Sequence, residues 1–184
     1  ELVHQALKLM RASIPTHIDI HCPPADQSIT VVGDETQLNQ ILLNLCTNAA
    51  QSMETGGGTL TVRLAPITLT TNVLTDTGEL PAGEYARLTV VDTGPGIDPC
   101  IRERLFEPYF TTKQRNKGTG MGLAVVHGIV KTHGGAIRVE SEPGCKTAFQ
   151  VYLPLADAPA EATPCDTAAP FQRGRGRILL VDDE

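Results

Sequence analysis

Residues 37–53 read QLNQILLNLCTNAAQSM. Leu38, Ile41, Leu42, Leu45, Ala49 and Met53 recur at intervals of three and four, the spacing of one helix face. Gln37, Gln40, Asn44, Asn48 and Gln51 follow another side, and no charged residue occurs anywhere in the stretch. A surface helix normally solvates its polar side with Lys, Glu or Arg. Here neutral amides stand instead. An amide carbonyl is a hard oxygen donor suited to Mg²⁺ and its ordered waters, and it needs no proton removed before it binds. An ordinary polar face without charge reads the same way, so residues further along must decide. Asp34, just ahead, is the expected N-cap.

Downstream, the alternating strand Glu84–Val91 runs into Asp92-Thr93-Gly94-Pro95-Gly96. Ala86, Leu88 and Val90 share one face, and period-two alternation puts Asp92 on that same apolar side. A carboxylate there is costly unless a donor meets it. An adenine exocyclic amine is such a donor, and the glycines let backbone approach a flat ring. A plain β-turn uses the same residues.

A second glycine cluster, Gly118-Thr119-Gly120-Met121-Gly122, opens a helix expected to run to His133 and close on Gly134-Gly135. Glycines before a helix leave backbone N–H groups free for phosphate oxygens, at the dipole end that favours an anion. No Lys-Ser/Thr pair follows the last glycine, so this is not a Walker loop. The preceding Thr111–Lys117 is polar and basic rather than a buried strand, which argues against a dinucleotide fingerprint. Between the clusters lies RLFEPYFTTK, residues 104–113. Phe106, Tyr109 and Phe110 gather there in a chain with four Phe, three Tyr and no Trp. An aromatic anchor beside a basic, glycine-ended segment suggests a lid over Phe106–Gly118; a loop with one hydrophobic foot is the plainer reading.

The order of these motifs resembles one family. NQILLNLCTNAAQSM is similar to the asparagine box of sensor histidine kinases, DTGPGID to their first glycine box, RLFEPYFTTK to their phenylalanine box and GTGMGLAVVHGIV to their second glycine box. The resemblance covers roughly residues 1–155. It implies the Bergerat-type ATP-binding fold shared with gyrase, mismatch-repair and chaperone ATPases: a two-layer α/β sandwich, its mixed, mostly antiparallel sheet covered on one face by helices. It also implies roles. Asn48 matches the Mg²⁺-ligating Asn, and Asn44 the Asn one turn earlier that faces the phosphates. Asp92 matches the adenine-reading Asp, with Gly94, Gly96 and Ile97 beside the base. Lys113 stands where the lid lysine reaches the terminal phosphate. Gly118, Thr119, Gly120, Gly122 and Leu123 match the phosphate cradle, and Thr147 the Thr that supports the Asp. Lys146 departs from the family pattern, which commonly has glycine there. ATP with Mg²⁺ is the implied ligand, and Asn44 and Lys113 are the implied catalytic pair.

Composition limits the reading. The chain has 184 residues, enough for one principal domain, and 41% of them are hydrophobic, enough for a core. A net charge of −6 argues against a nucleic-acid partner, because phosphate neutralisation needs clustered Lys and Arg. No apolar run approaches the ~20 residues of a membrane span, so a cytoplasmic fragment is expected, from a parent that could be membrane-anchored upstream. Cys22, Cys46, Cys100, Cys145 and Cys165 form no C-x-x-C pair and read as reduced thiols.

Residues 1–13 are expected as a helix ending the connection from a dimerisation and phosphoacceptor hairpin that this chain lacks. Residues 14–155 form the catalytic domain. Its strands are expected at Ile18–Ile20, Ile29–Val32, Thr59–Thr70, Ala136–Ser141 and Thr147–Leu153, with a polar hairpin loop at Asn72–Gly83 leading into the strand Glu84–Val91. Composition turns Ala- and Pro-rich from Pro154, and residues 156–176 read as a linker. Residues 177–184, RILLVDDE, resemble the first strand of a receiver domain, with Asp182 and Asp183 as its acidic pair. The parent is then expected to be a hybrid kinase and a homodimer, phosphorylating a receiver in cis or a separate response regulator. None of His4, His17, His21, His127 and His133 has the setting of a phosphoacceptor. A hydrolytic relative and a non-catalytic nucleotide-binding module are the alternatives. Against the hydrolase, Asn44 occupies the position where such relatives carry a water-activating Glu.

Overall fold

The structure is a computed structural model that describes residues 2–24, 27–112 and 119–156. Residues 113–118 of the expected lid, Lys113 and Gly118 among them, all but the first residue of the linker and the receiver-like strand lie outside these residues. Along the chain run α1 (Leu2–Met10), β1 (Ile18–His21), α2 (Glu35–Ser52), β2 (Gly58–Leu69), β3 (Val73–Thr75), β4 (Gly78–Leu80), β5 (Gly83–Asp92), a short 3-10 helix (Pro99–Arg104), α3 (Gly122–Thr132), β6 (Ala136–Glu142) and β7 (Lys146–Pro154).

Five strands form one sheet in the order β1-β2-β5-β7-β6, with β1 parallel to β2 and every other pair antiparallel. The helices cover one face. Alternation decides which side chains meet them: Leu60 and Val62 of β2, Val90 of β5, Ile137 and Val139 of β6 and Val151 of β7 are all buried. Ile41, Leu42 and Leu45 of α2 and Val126 and Val130 of α3 close on them to form the main core. The sandwich is therefore two-layered, as expected from the order of helical and alternating segments. Among the described residues no helix is long and apolar enough to cross a membrane.

Several expected boundaries shift, each for a local reason. Helix α2 keeps its expected cap and so starts at Glu35, two residues ahead of the quoted stretch: the Asp34 carboxylate accepts the Gln37 N–H at 3.0 Å. Helix α1 stops at Met10, and the Arg11 guanidinium turns back to donate to the Ile18 carbonyl at 2.8 Å. Helix α3 starts only at Gly122, since Gly120 has φ +68°, outside right-handed helical space. Ile29–Val32 is not a strand. Only Val31 bridges, to Leu155 at the sheet margin, and Val32 is exposed.

The polar loop at Asn72–Gly83 carries a hairpin of its own, β3 paired with β4. Leu80 anchors it against Tyr85, Ala136 and Tyr152 on the sheet face away from the helices. Its turn also covers the free edge of β6. The Asp76 N–H donates to the Ile137 carbonyl at 3.1 Å, and Asp76 Oδ2 accepts the Val139 N–H at 2.8 Å. The Thr77 hydroxyl accepts the Ile137 N–H at 2.9 Å. An unpaired strand edge is thereby satisfied by a turn instead of another strand.

Candidate functional site

A cavity of about 450 Å³ opens between α2, the sheet end at Asp92 and the start of α3. Helical geometry supplies its first wall. Asn44, Asn48 and Ser52 are four residues apart on α2 and all three line the cavity. Gln51 stands at the same wall, whereas Gln37 and Gln40 are exposed and do not reach it. The expected amide stripe thus divides: its C-terminal half faces the cavity and its N-terminal half faces solvent.

Asp92 is 4% exposed, at the end of the alternating face of β5. The Gly94 N–H donates to its Oδ1 at 2.9 Å and the Ser52 hydroxyl to the same oxygen at 3.1 Å. Burial pushes the Asp92 carboxyl above the ordinary carboxylate range, and these two donors act against that shift. Gly94 does not itself line the cavity. It sits behind the carboxylate, where a Cβ would stand 2.6 Å from Asp92 Oδ1 and 2.6 Å from Ser52 Oγ, so no larger residue fits.

The antiparallel register pairs Asp92 with Thr147 across β5 and β7. Thr147 is 4% exposed, and its hydroxyl lies 3.2 Å from the Ser141 hydroxyl. Ser141 accepts the Ile97 N–H at 2.8 Å and fixes the loop after the first glycine cluster. Gly96 and Ile97 line the cavity there. The next wall comes from the 3-10 helix, which presents Ile101, with Leu105 following it. Arg102 ties that helix to the β3–β4 turn, its Nε donating to Asp76 Oδ1 at 2.7 Å. The pair holds the Asp76 carboxyl below its usual range, against the upward push of its own burial.

At the far end, Thr119, Gly120, Gly122 and Leu123 close the cavity. A Cβ on Gly120 would meet the Tyr109 backbone at 2.5 Å. Tyr109 itself has φ +65°, rare for a bulky residue, and its N–H donates to the Gly120 carbonyl at 3.0 Å. The aromatic segment is thus fastened to the glycine cluster through backbone. Phe110 lines the cavity, with Arg104 4.3 Å over its ring. Met121, at the N-cap of α3, makes no side-chain bond to the first turn, and its own N–H donates to the Thr119 hydroxyl at 3.4 Å. A Cβ on Gly122 would be 3.4 Å from Asn44 Oδ1, so this helix start lies directly against the amides.

One side-chain atom of this lining is unbalanced. Asn44 Nδ2 is buried and has no hydrogen-bond partner among the described residues. An unmet buried donor costs about 1–3 kcal/mol, which a bound acceptor would recover. Among the described residues no group of three or more His, Cys, Asp or Glu gathers, and Asp92 is the only carboxylate among the described lining residues. A hard cation here would have amides, not a carboxylate cage, for ligands. The structure brings Asn44, Asn48, Asp92, Gly96, Ile97, Thr119, Gly120, Gly122, Leu123 and Thr147 around one space. Sequence reasoning missed Ser52 and Ser141. The i+4 step from Asn48 could have indicated Ser52; Ser141 gave no signal, since its partners are set by strand register.

Residues 33–157 match the family of histidine kinase-, DNA gyrase B- and HSP90-like ATPases. The chain is 37% identical over 162 residues to the sensor kinase CckA of Brucella abortus, covering 84% of this chain and 17% of that protein. It is 38% identical over 160 residues to the two-component sensor PprA of Pseudomonas aeruginosa, covering 85% and 16%. The chain thus spans about a sixth of the length of these relatives. Among solved structures, the mycobacterial sensor histidine kinase MprB is similar at 30% identity with a TM-score of 0.64, covering 84% of this chain and 92% of that one. Full-length ShkA in complex with AMPPNP is similar at 34% identity with a TM-score of 0.63, covering 86% and 30%.

Proposed function

The chain belongs to the histidine kinase-, DNA gyrase B- and HSP90-like ATPase family as the ATP-binding domain of a sensor histidine kinase, and we propose that it holds Mg²⁺-ATP for transfer of the terminal phosphoryl group to a histidine on another domain of the longer protein. The observation that carries this reading is the orphaned Asn44 amide in a cavity with Asp92 as its only described carboxylate. Asp92 accepts the adenine amine, supported by Thr147. Gly96 and Ile97 flank the base. Thr119, Gly120 and the first N–H groups of α3 meet the phosphates, and Asn44 donates to a phosphate oxygen.

Asn48 would hold Mg²⁺ through its side-chain oxygen, and bound Mg²⁺ neutralises charge on the phosphates. Lys113 and Gly118 complete the set on the sequence motif alone. Phosphoryl transfer depends mainly on positioning and charge neutralisation, which these residues provide without a nucleophile of their own. No described carboxylate stands beside Asn44 to activate water, which sets the reading apart from a hydrolase. In the longer protein, the acceptor hairpin precedes residue 1, residues 156–176 link onward, and residues 177–184 begin a receiver. The parent is a homodimer that passes phosphate to that receiver or to a response regulator.

The test uses the chain alone and a longer chain carrying the upstream hairpin. Alone, it binds ATP and releases phosphate very slowly; with the hairpin, an acid-labile phosphohistidine forms. Asn48→Asp lowers that labelling on the order of 10²-fold. Rapid phosphate release by the chain alone, with no histidine labelling in the longer one, overturns the proposal.

A further inference from the structure

Asp92 is not held by its own loop alone. A side chain forty residues earlier reaches it. Ser52, at the last turn of α2, lines the cavity and donates its hydroxyl to Asp92 Oδ1 at 3.1 Å. The Gly94 N–H donates to the same oxygen at 2.9 Å. Both donors fall on Oδ1, so Oδ2 keeps its lone pairs for something that enters the cavity.

We infer that Ser52 is a positioning residue for base recognition: its hydroxyl fixes the Asp92 carboxylate so that Oδ2 receives the exocyclic amine of an adenine. The inference rests on the reading that Asp92 is the adenine acceptor. Ser52 has one hydroxyl proton and two acceptors, since its Oγ also stands 2.8 Å from the Ala49 carbonyl. The Ala49 contact is the back-bond that a helical Ser makes at rest. A bond to an ionised carboxylate is about twice as strong as one to a neutral carbonyl, so the proton goes to Asp92 when that group is charged. The hydroxyl then favours the form that accepts from the base. Gly94 completes the arrangement, because any Cβ there would occupy the space where the hydroxyl and carboxylate meet.

The experiment measures binding of Mg²⁺-ATP and of Mg²⁺-purine riboside triphosphate, which lacks the 6-amino group, to the chain and to Ser52→Ala. Alanine keeps the helix, being its best former. The wild-type chain is expected to bind ATP about 10-fold more tightly than the analogue, the scale of a hydrogen bond to a charged group. Ser52→Ala should bind ATP about 5-fold more weakly, bind the analogue almost as before, and so discriminate by only about 2-fold. Its ATP affinity should also begin to fall at a higher pH than that of wild type. If wild type discriminates and Ser52→Ala discriminates equally, the inference about Ser52 is wrong and the Asp92 reading stands. If wild type itself ignores the amino group, both are wrong.

Discussion

Helix α2 fronts two cavities, and they behave as opposites. Its N-terminal half borders a space of about 630 Å³ where Leu38, Ile41, Leu42 and Leu88 meet Gln5, Ser28, Thr30 and Glu35. Its C-terminal half borders the space of about 450 Å³ that holds Asp92 and the unpaired Asn44 amide. The larger cavity has polar residues in its wall too, but Gln5, Ser28, Thr30 and Glu35 are exposed to water, and among the described residues no buried polar side-chain atom of its lining lacks a partner. The smaller one keeps a carboxylate out of water and a donor without an acceptor, both of which cost folding free energy. Volume does not identify a site; uncompensated polarity does, because a ligand that supplies the missing partner recovers the cost.

Substitutions along α2 can break this contrast. The largest effect is expected from Leu42→Ala, 1% exposed at the larger cavity. Denaturant unfolding should show a loss of about 2–5 kcal/mol, while ATP affinity of the folded chain stays within about 2-fold. A parallel loss of affinity would mean that the two ends are mechanically one site. Asp92→Asn is next: calorimetry should show ATP binding weakened by about 1.5–3 kcal/mol. Equal affinity in the two proteins would remove Asp92 from base recognition.

The same variant has a signature in pH. Burial raises the Asp92 carboxyl above its ordinary value, so the folded chain prefers it protonated. Below the unfolded-state value both states are neutral and nothing is lost. As pH rises through the folded-state value the ionised group weighs against folding. Without ligand, Asp92→Asn should therefore melt at or above the wild-type temperature at pH 7, and the gap should narrow as pH falls toward 4. A gap that widens on acidification would contradict a desolvated carboxylate.

Asn44→Leu sharpens the contrast further. Removing the orphaned amide should stabilise the nucleotide-free chain by about 1–3 kcal/mol while weakening ATP binding. If it destabilises, the amide was satisfied all along. The smallest effect belongs to Ser141→Ala, which loses the bond to the Ile97 backbone and should cost about 0.5–1.5 kcal/mol in chemical unfolding with little change in affinity.

Much of this was legible along the chain. The stripe of Leu38, Ile41, Leu42 and Leu45 fixed the buried face of α2, and period-two alternation placed Asp92 inside. Both are local consequences of backbone geometry, which repeats over a few residues. The glycine clusters were legible for the same reason, as Gly120 shows with its left-handed φ. The nucleotide itself came from the order of four motifs.

Tertiary structure decided the rest. Whether Ile29–Val32 pairs as a strand depends on what lies at the sheet margin, where Val31 makes a single bridge to Leu155 and the Thr30 carbonyl accepts the Ala156 N–H at 3.1 Å. The Asn72–Gly83 segment reads as a polar hairpin loop, but that Leu80 is 1% exposed, and that Asp76 and Thr77 meet β6 sixty or more residues later, is decided by packing. Which half of the amide stripe faces a cavity depends on where α3 starts. Thr147 stands opposite Asp92 because of β5–β7 register, and Ser52 reaches that carboxylate because α2 packs across the sheet end. Backbone periodicity acts over a few residues and so is written in sequence. The buried Asp92 takes one partner, Gly94, from its own turn, but Ser52 and Thr147 come from segments forty or more residues away, and only packing chooses them.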